Sequence, residues 1–295
     1  MTKKFLIAGL GFILLLSIGC NGKEAIAPKS EPSKIAESVA SEETGVAASE
    51  KYVTADDDFG NLSLKTYDLP VYDRYTLSER REKNLPTKLP EIVPYSGAKV
   101  AYLTFDDGPD DKNTAAILDI LAAEKIKATF YVLGKNVVAY PGVAGRIFEE
   151  GHAIGNHSYD HDYNRLYSSP ENYLDEMIKT DEVLHELFGV RPLITRAPGG
   201  KIGNFNDAYE NMLLNNGYAE HDWNVSSADA APGHPTAQDF IDNIEGQADF
   251  QSAIILMHCS AGHEETVKAL PEIIRVLREK NYVFGVVTPM TPQPW

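Results

Sequence analysis

From Lys99 onward, short apolar runs of β-favouring residues alternate with helix-length amphipathic stretches. Val100–Phe105 leads to a predicted helix from Thr114 to Glu124, with Ile117, Leu118 and Leu121 on one face. Ala128–Leu133 leads to Pro141–Glu150, where the proline suits a first helical position. Ala153-Ile154 precedes a long helix, Pro170–Phe188, carrying Tyr173, Leu174, Met177, Val183, Leu184 and Leu187. Leu193–Thr195 leads to Asp207–Asn215, and Tyr218–Val225, read as one strand, leads to a helix after Thr236. Ala253–Met257 leads to Glu264–Glu279, where Val267, Leu270, Ile274 and Leu277 recur at helical spacing, and Tyr282–Val287 closes the series. Repeated β-α units imply an α/β fold on a parallel sheet, open or closed into a barrel. Asp106-Asp107, His157, Arg196, Trp223 and His258 each follow a predicted strand. Side chains gathered at the C-terminal ends of strands are the geometry of a barrel active site.

The N-terminal region reads differently. Lys3-Lys4 precede an apolar stretch from Phe5 to Ile18 that ends at Gly19-Cys20, so residues 1–19 read as a secretory signal too short for a spanning helix. A cysteine just after the small residue resembles a bacterial lipoprotein signal, with the mature chain anchored by lipid at Cys20, although Ser17 stands where leucine is usual. Residues 20–50, rich in Ser, Ala, Glu, Lys and Pro, read as a disordered tether. Residues 51–96 are expected to be an extended segment packed on the main domain, which spans 97–290. The expected location is the outside of a bacterial cell, at its envelope, as a monomer.

At 43% hydrophobic and 24% charged, the 295 residues suit one sizeable globular domain with ancillary sequence. A formal charge of −16 argues against a nucleic-acid partner, which would need clustered Lys and Arg. Besides Cys20 there is one cysteine, Cys259, read as a buried small apolar residue rather than a ligand.

The chemistry centres on Thr104–Pro109, Thr-Phe-Asp-Asp-Gly-Pro, at the end of the first apolar run. Two adjacent carboxylates there repel each other unless a cation sits beside them. His157 and His161, four apart, can share a face of a helical turn and present two nitrogens to one ion, with Asp107 as third ligand and one position left for water. Two histidines and a carboxylate suit a catalytic divalent metal, zinc first, with cobalt, nickel or manganese as alternatives. Asp106, pointing the other way, is a candidate base for the nucleophilic water. His258 could donate a proton to a leaving amine, and Arg196 could hold a carboxylate ionised. Gly199, lacking a Cβ, lets a substrate reach its backbone N–H, a candidate oxyanion donor.

Thr104–Pro109, His157–His161, Arg196–Gly200, Asp222–Val225 and Leu256–His258 together resemble the five ordered motifs of the polysaccharide deacetylases, carbohydrate esterase family 4. The resemblance spans roughly Lys99 to Pro289. It implies a distorted (β/α) barrel with fewer than eight strands. It also implies Asp106 as base, Asp107, His157 and His161 as metal ligands, Arg196 as orienter of the base, and Gly199 as oxyanion donor. Trp223 matches an aromatic wall, Leu256 the lining of the acetyl-methyl pocket, and His258 the general acid, with Asp229 tuning it. The implied reaction removes N-acetyl groups from a sugar of a cell-wall or extracellular polysaccharide, and the expected tether at the membrane makes peptidoglycan the preferred polymer. The chain departs from the family pattern at Gly199, where tyrosine is common, leaving the cleft floor open or filled by another element. It departs again at Ser226 and Ala230, where a carboxylate and an aromatic face are lost. Two other readings stand beside this one: an O-acetyl esterase on xylan or another glycan, and a non-catalytic carbohydrate-binding protein of the same fold.

Overall fold

A computed structural model describes residues 51–63 and 67–294; the proposed signal, Cys20 and the tether lie outside them. The elements in chain order are β1 (Val53–Thr54), β2 (Val71–Asp73), α1 (Leu77–Glu82), β3 (Val100–Gly108), α2 (Asn113–Glu124), β4 (Thr129–Val132), α3 (Gly134–Ala139), α4 (Pro141–Glu149), β5 (Ala153–Asn156), α5 (Tyr163–Leu166) and α6 (Pro170–Phe188). They continue with β6 (Arg191–Pro192), β7 (Ile194–Thr195), α7 (Asp207–Asn215), β8 (Ala219–Glu220), β9 (Val225–Ser226), α8 (Ala237–Gln247), β10 (Ser252–His258), α9 (Glu264–Glu279) and β11 (Val283–Gly285).

Seven strands follow one another across a curled parallel sheet, in the order β8-β7-β5-β4-β3-β10-β9, and β11 joins the start of β3 off that path. Strand alternation sorts β3 cleanly. Ala101, Leu103 and Phe105 enter the main core shared with the helices, while Val100 and Tyr102 face a second cluster with Tyr131, Ile254 and Val286. Continuing that second face brings Thr104 and then Asp106 to its top. On β10 the same alternation stacks Ile254, Leu256 and His258, and the parallel register sets His258 directly beside Asp106.

Local sequence explains the helix ends. Ser169 caps α6 by accepting from the Asn172 N–H, Pro170 opens the helix, and left-handed Gly189 ends it. Thr236 and Asp239 form a capping box on α8.

Two expectations change. The run Tyr218–Val225 is not one strand: it splits into β8 and β9, because His221 to Asn224 leave the sheet to surround Arg196. The segment 51–96, expected as extended, carries β1, β2 and α1. Its β2 pairs with β6, and its buried Asp73 forms ion pairs with Arg80 and, at 3.1 Å, Arg191, both fully buried. Among the described residues no helix is long and apolar enough to cross a membrane.

Candidate active site

Alternation alone would send the side chains of Asp106 and Asp107 to opposite faces. Instead β3 bulges against β4 between Asp106 and Gly108, and Asp107 takes a left-handed φ of 70°. Aspartate tolerates that conformation better than most residues. Both carboxylates therefore face the same point: Asp106 Oδ2 lies 3.8 Å and Asp107 Oδ1 3.6 Å from Nε2 of His157. The expectation that Asp106 points away from the metal site is corrected by this bulge. Gly108 is required where it stands, since a Cβ would come within 2.5 Å of Cys259 Sγ. Cys259 is fully buried against β3, its thiol pushed up by burial, and among the described residues it belongs to no group of prospective ligands.

His157 and His161 do not share a helical turn. They sit on an irregular loop after β5, and left-handed Ser158 and His161 bring them together. The loop is pinned by Asn156 accepting from the Ser158 N–H and by Ser158 Oγ accepting from the His161 N–H, each at 3.0 Å. Nδ1 of His157 donates to the Arg196 carbonyl at 2.8 Å, which aims Nε2 at Asp107. Burial and the neighbouring His157 lower the pKa of His161, favouring the neutral imidazole a metal needs.

These three side chains fit a metal. Asp107 Oδ1 is buried with no hydrogen-bond partner among the described residues, and lies 3.6 Å and 3.5 Å from the two Nε2 atoms. Tetrahedral ligands at zinc-like bond lengths stand about 3.3–3.5 Å apart. A second group, Asp229, His258 and His263, also clusters. There both Asp229 oxygens are already taken, by His258 Nδ1 at 2.8 Å and by the His258 N–H and Thr266 Oγ1.

Arg196 follows β7 and is fully buried. Its Nη1 donates to Asp106 Oδ1 at 3.0 Å and to Thr104 Oγ1 at 2.6 Å. Nε and Nη2 donate to the carbonyls of His221 and Asp222, and the guanidinium lies 4.2 Å from the Tyr131 ring centre. Burial opposes the charge of His258. The hydrogen bond and charge of Asp229, with the fields of Asp106 and Asp107, outweigh it and lift the imidazolium pKa to about 9. Asp229 itself is lowered: burial resists, and the contacts from His258 and Thr266 prevail.

Gly199 has φ 75°, and its N–H makes no hydrogen bond among the described residues. Trp223 packs over neighbouring Gly200, and Leu256 is buried one residue pair below His258 on the same face of β10. Ala230 lines a pocket of about 400 Å³ together with His234 and His263.

The family model for polysaccharide deacetylases matches residues 95–221. A peptidoglycan-N-acetylglucosamine deacetylase of Bacillus cereus is 36% identical over 190 residues, 63% of this chain and 68% of the relative. The chain belongs to the polysaccharide deacetylase family. Its fold agrees with that of a polysaccharide deacetylase of Bacillus cereus (TM-score 0.60, 35% identity, covering 64% of this chain and 92% of the other). It agrees equally with a CE4 esterase of Streptococcus mutans (TM-score 0.61, 28% identity, 75% and 92%). Members of the polysaccharide deacetylase family are enzymes.

Several supporting residues of this deacetylase escaped the sequence reading. Thr104 bridges Arg196 and the Ile255 carbonyl, and Glu220 accepts from the Ala197 N–H behind Arg196, its carboxyl pushed up to about 8 by burial and the nearby Asp222. Tyr163 stands over Gly199. For Thr104 the signal was its place in the alternation, two residues before Asp106; for Tyr163 it was its nearness to His161.

Proposed function

We propose that this enzyme hydrolyses N-acetyl groups from N-acetylglucosamine-containing polysaccharide at the bacterial cell envelope, with peptidoglycan as the preferred polymer. The observation that carries the reading is the placing of Asp106 beside His258 on paired strands, next to the Asp107–His157–His161 group. A divalent ion held by those three residues, zinc by its donor set, would polarise the acetyl carbonyl and lower the pKa of the attacking water.

The chain's own residues supply the rest. Asp106 accepts the water proton, and the hydrogen bond from Arg196 holds that carboxylate in place. The free Gly199 N–H donates to the oxyanion of the tetrahedral species. His258, with Nδ1 tied to Asp229, presents Nε2 to protonate the leaving amine, giving acetate and a free amino sugar. Leu256 lines the space for the acetyl methyl, and Trp223 walls the sugar. Lipidation at Cys20 would keep the enzyme against the membrane, within reach of the wall.

The Streptococcus mutans structure, named an esterase, favours O-acetyl hydrolysis as the second reading. Acetate release from peptidoglycan and chitooligosaccharides, compared with O-acetylated xylan, tests the choice. Faster turnover of the N-acetyl substrates is expected; activity confined to xylan would replace the amide reading with the ester one.

A further inference from the structure

Tyr163 is the first residue of α5 and follows the prospective ligand His161 by two positions. It is 46% exposed, high for so large an aromatic side chain. Its ring is held all the same. It meets His161 edge-to-face at 5.1 Å and Tyr167 at 5.8 Å. Tyr167 in turn donates its hydroxyl to the Pro198 carbonyl at 2.6 Å, joining α5 to the loop that carries Gly199.

The glycines of that loop show what the ring is for. A Cβ on Gly199 would come within 2.7 Å of the Tyr163 hydroxyl and 3.1 Å of its ring; one on Gly200 would come within 3.0 Å of the Trp223 ring. Two consecutive left-handed glycines thus form a bare backbone floor, with Tyr163 standing over one and Trp223 over the other. The Tyr163 hydroxyl has no hydrogen-bond partner among the described residues, so a donor and an apolar ring face are both left for a ligand. A pyranose offers the matching pair, a face of C–H groups and a rim of hydroxyls.

We infer that Tyr163 is a substrate-contacting residue that sets the enzyme's affinity for its sugar, with its ring packing on the acetamido-bearing pyranose and its hydroxyl bonding that sugar's rim. The inference rests on the proposed polysaccharide substrate. Tyr163 occupies, from a different element, the space a side chain at 199 would fill. The rival explanation is that Tyr163 only buttresses His161.

The test measures binding of chitopentaose by calorimetry to zinc-loaded Asp106→Asn protein, alone and combined with Tyr163→Ala or Tyr163→Phe. Zinc content and melting temperature are recorded for each. Loss of an aromatic anchor is expected to weaken binding about tenfold in Tyr163→Ala, with Tyr163→Phe between the two and zinc unchanged. Unchanged affinity in Tyr163→Ala overturns the inference. So does loss of zinc from that protein, which would make the residue a buttress, and so does failure of the parent to bind chitopentaose. Acetate release by the wild type is scored separately. An intact affinity effect without any acetate release would leave the contact standing and defeat the deacetylase reading.

Discussion

Asp107 at φ 70° and Asp106 in strand geometry are neighbours with different environments. One has a buried oxygen with no hydrogen-bond partner among the described residues, and the other is paired to a buried arginine. The residue types of this site were legible in the sequence, because adjacent carboxylates at the end of an apolar run demand a cation. What alternation could not reveal was the bulge, since it depends on how β3 meets β4. The Asp229–His258 pair carries its own prediction. A general acid acts only while protonated, so the rate should persist at neutral pH and fall as pH rises toward 9, earlier if a bound metal repels the imidazolium. Asp229→Asn removes the charge that raises His258. Its alkaline limb should move down toward the ordinary histidine value of about 6.5, as read from the pH profile of kcat/KM. An unmoved limb would assign the acid to another group.

At the scale of elements, helix positions were the most readable part of the chain. Pro170–Phe188, Asp207–Asn215 and Glu264–Glu279 have the predicted bounds, because 3.6-residue periodicity, with the caps Ser169 and Asn206 on the first two, is a local signal. Some short elements were not readable. α3 and α5 span 6 and 4 residues, too few for a period, and β8 and β9 have 2 residues each. They are placed by what they surround. The same holds for β2 and β6, whose pairing buries Asp73 between Arg80 and Arg191. Asp73→Ala would leave two buried guanidinium groups without that carboxylate and should cost about 3–5 kcal/mol of unfolding free energy, measured by denaturant titration. A loss below about 1 kcal/mol would mean water or backbone carbonyls satisfy both arginines.

Across the whole molecule, every proposed metal-binding or proton-transferring group comes from the C-terminal end of a strand or the loop after it. The aspartates come from β3, the histidine pair follows β5, Arg196 follows β7, Asp229 follows β9, and His258 ends β10. The parallel sheet collects at one rim residues separated by as many as 152 positions, Asp106 and His258 being the extremes. The order of the motifs was therefore visible in sequence, while their convergence required the fold. The central claim is that the two neighbouring aspartates have separate tasks, Asp107 holding a metal and Asp106 moving a proton. It is tested most directly by measuring zinc content and acetate release together, on wild-type and Asp106→Asn proteins stripped by chelator and then reloaded. Both proteins are predicted to take up one zinc per chain. Only the wild type should regain activity, with Asp106→Asn lower by at least about 100-fold. Full activity in the stripped wild type, or loss of zinc from Asp106→Asn, would contradict the account.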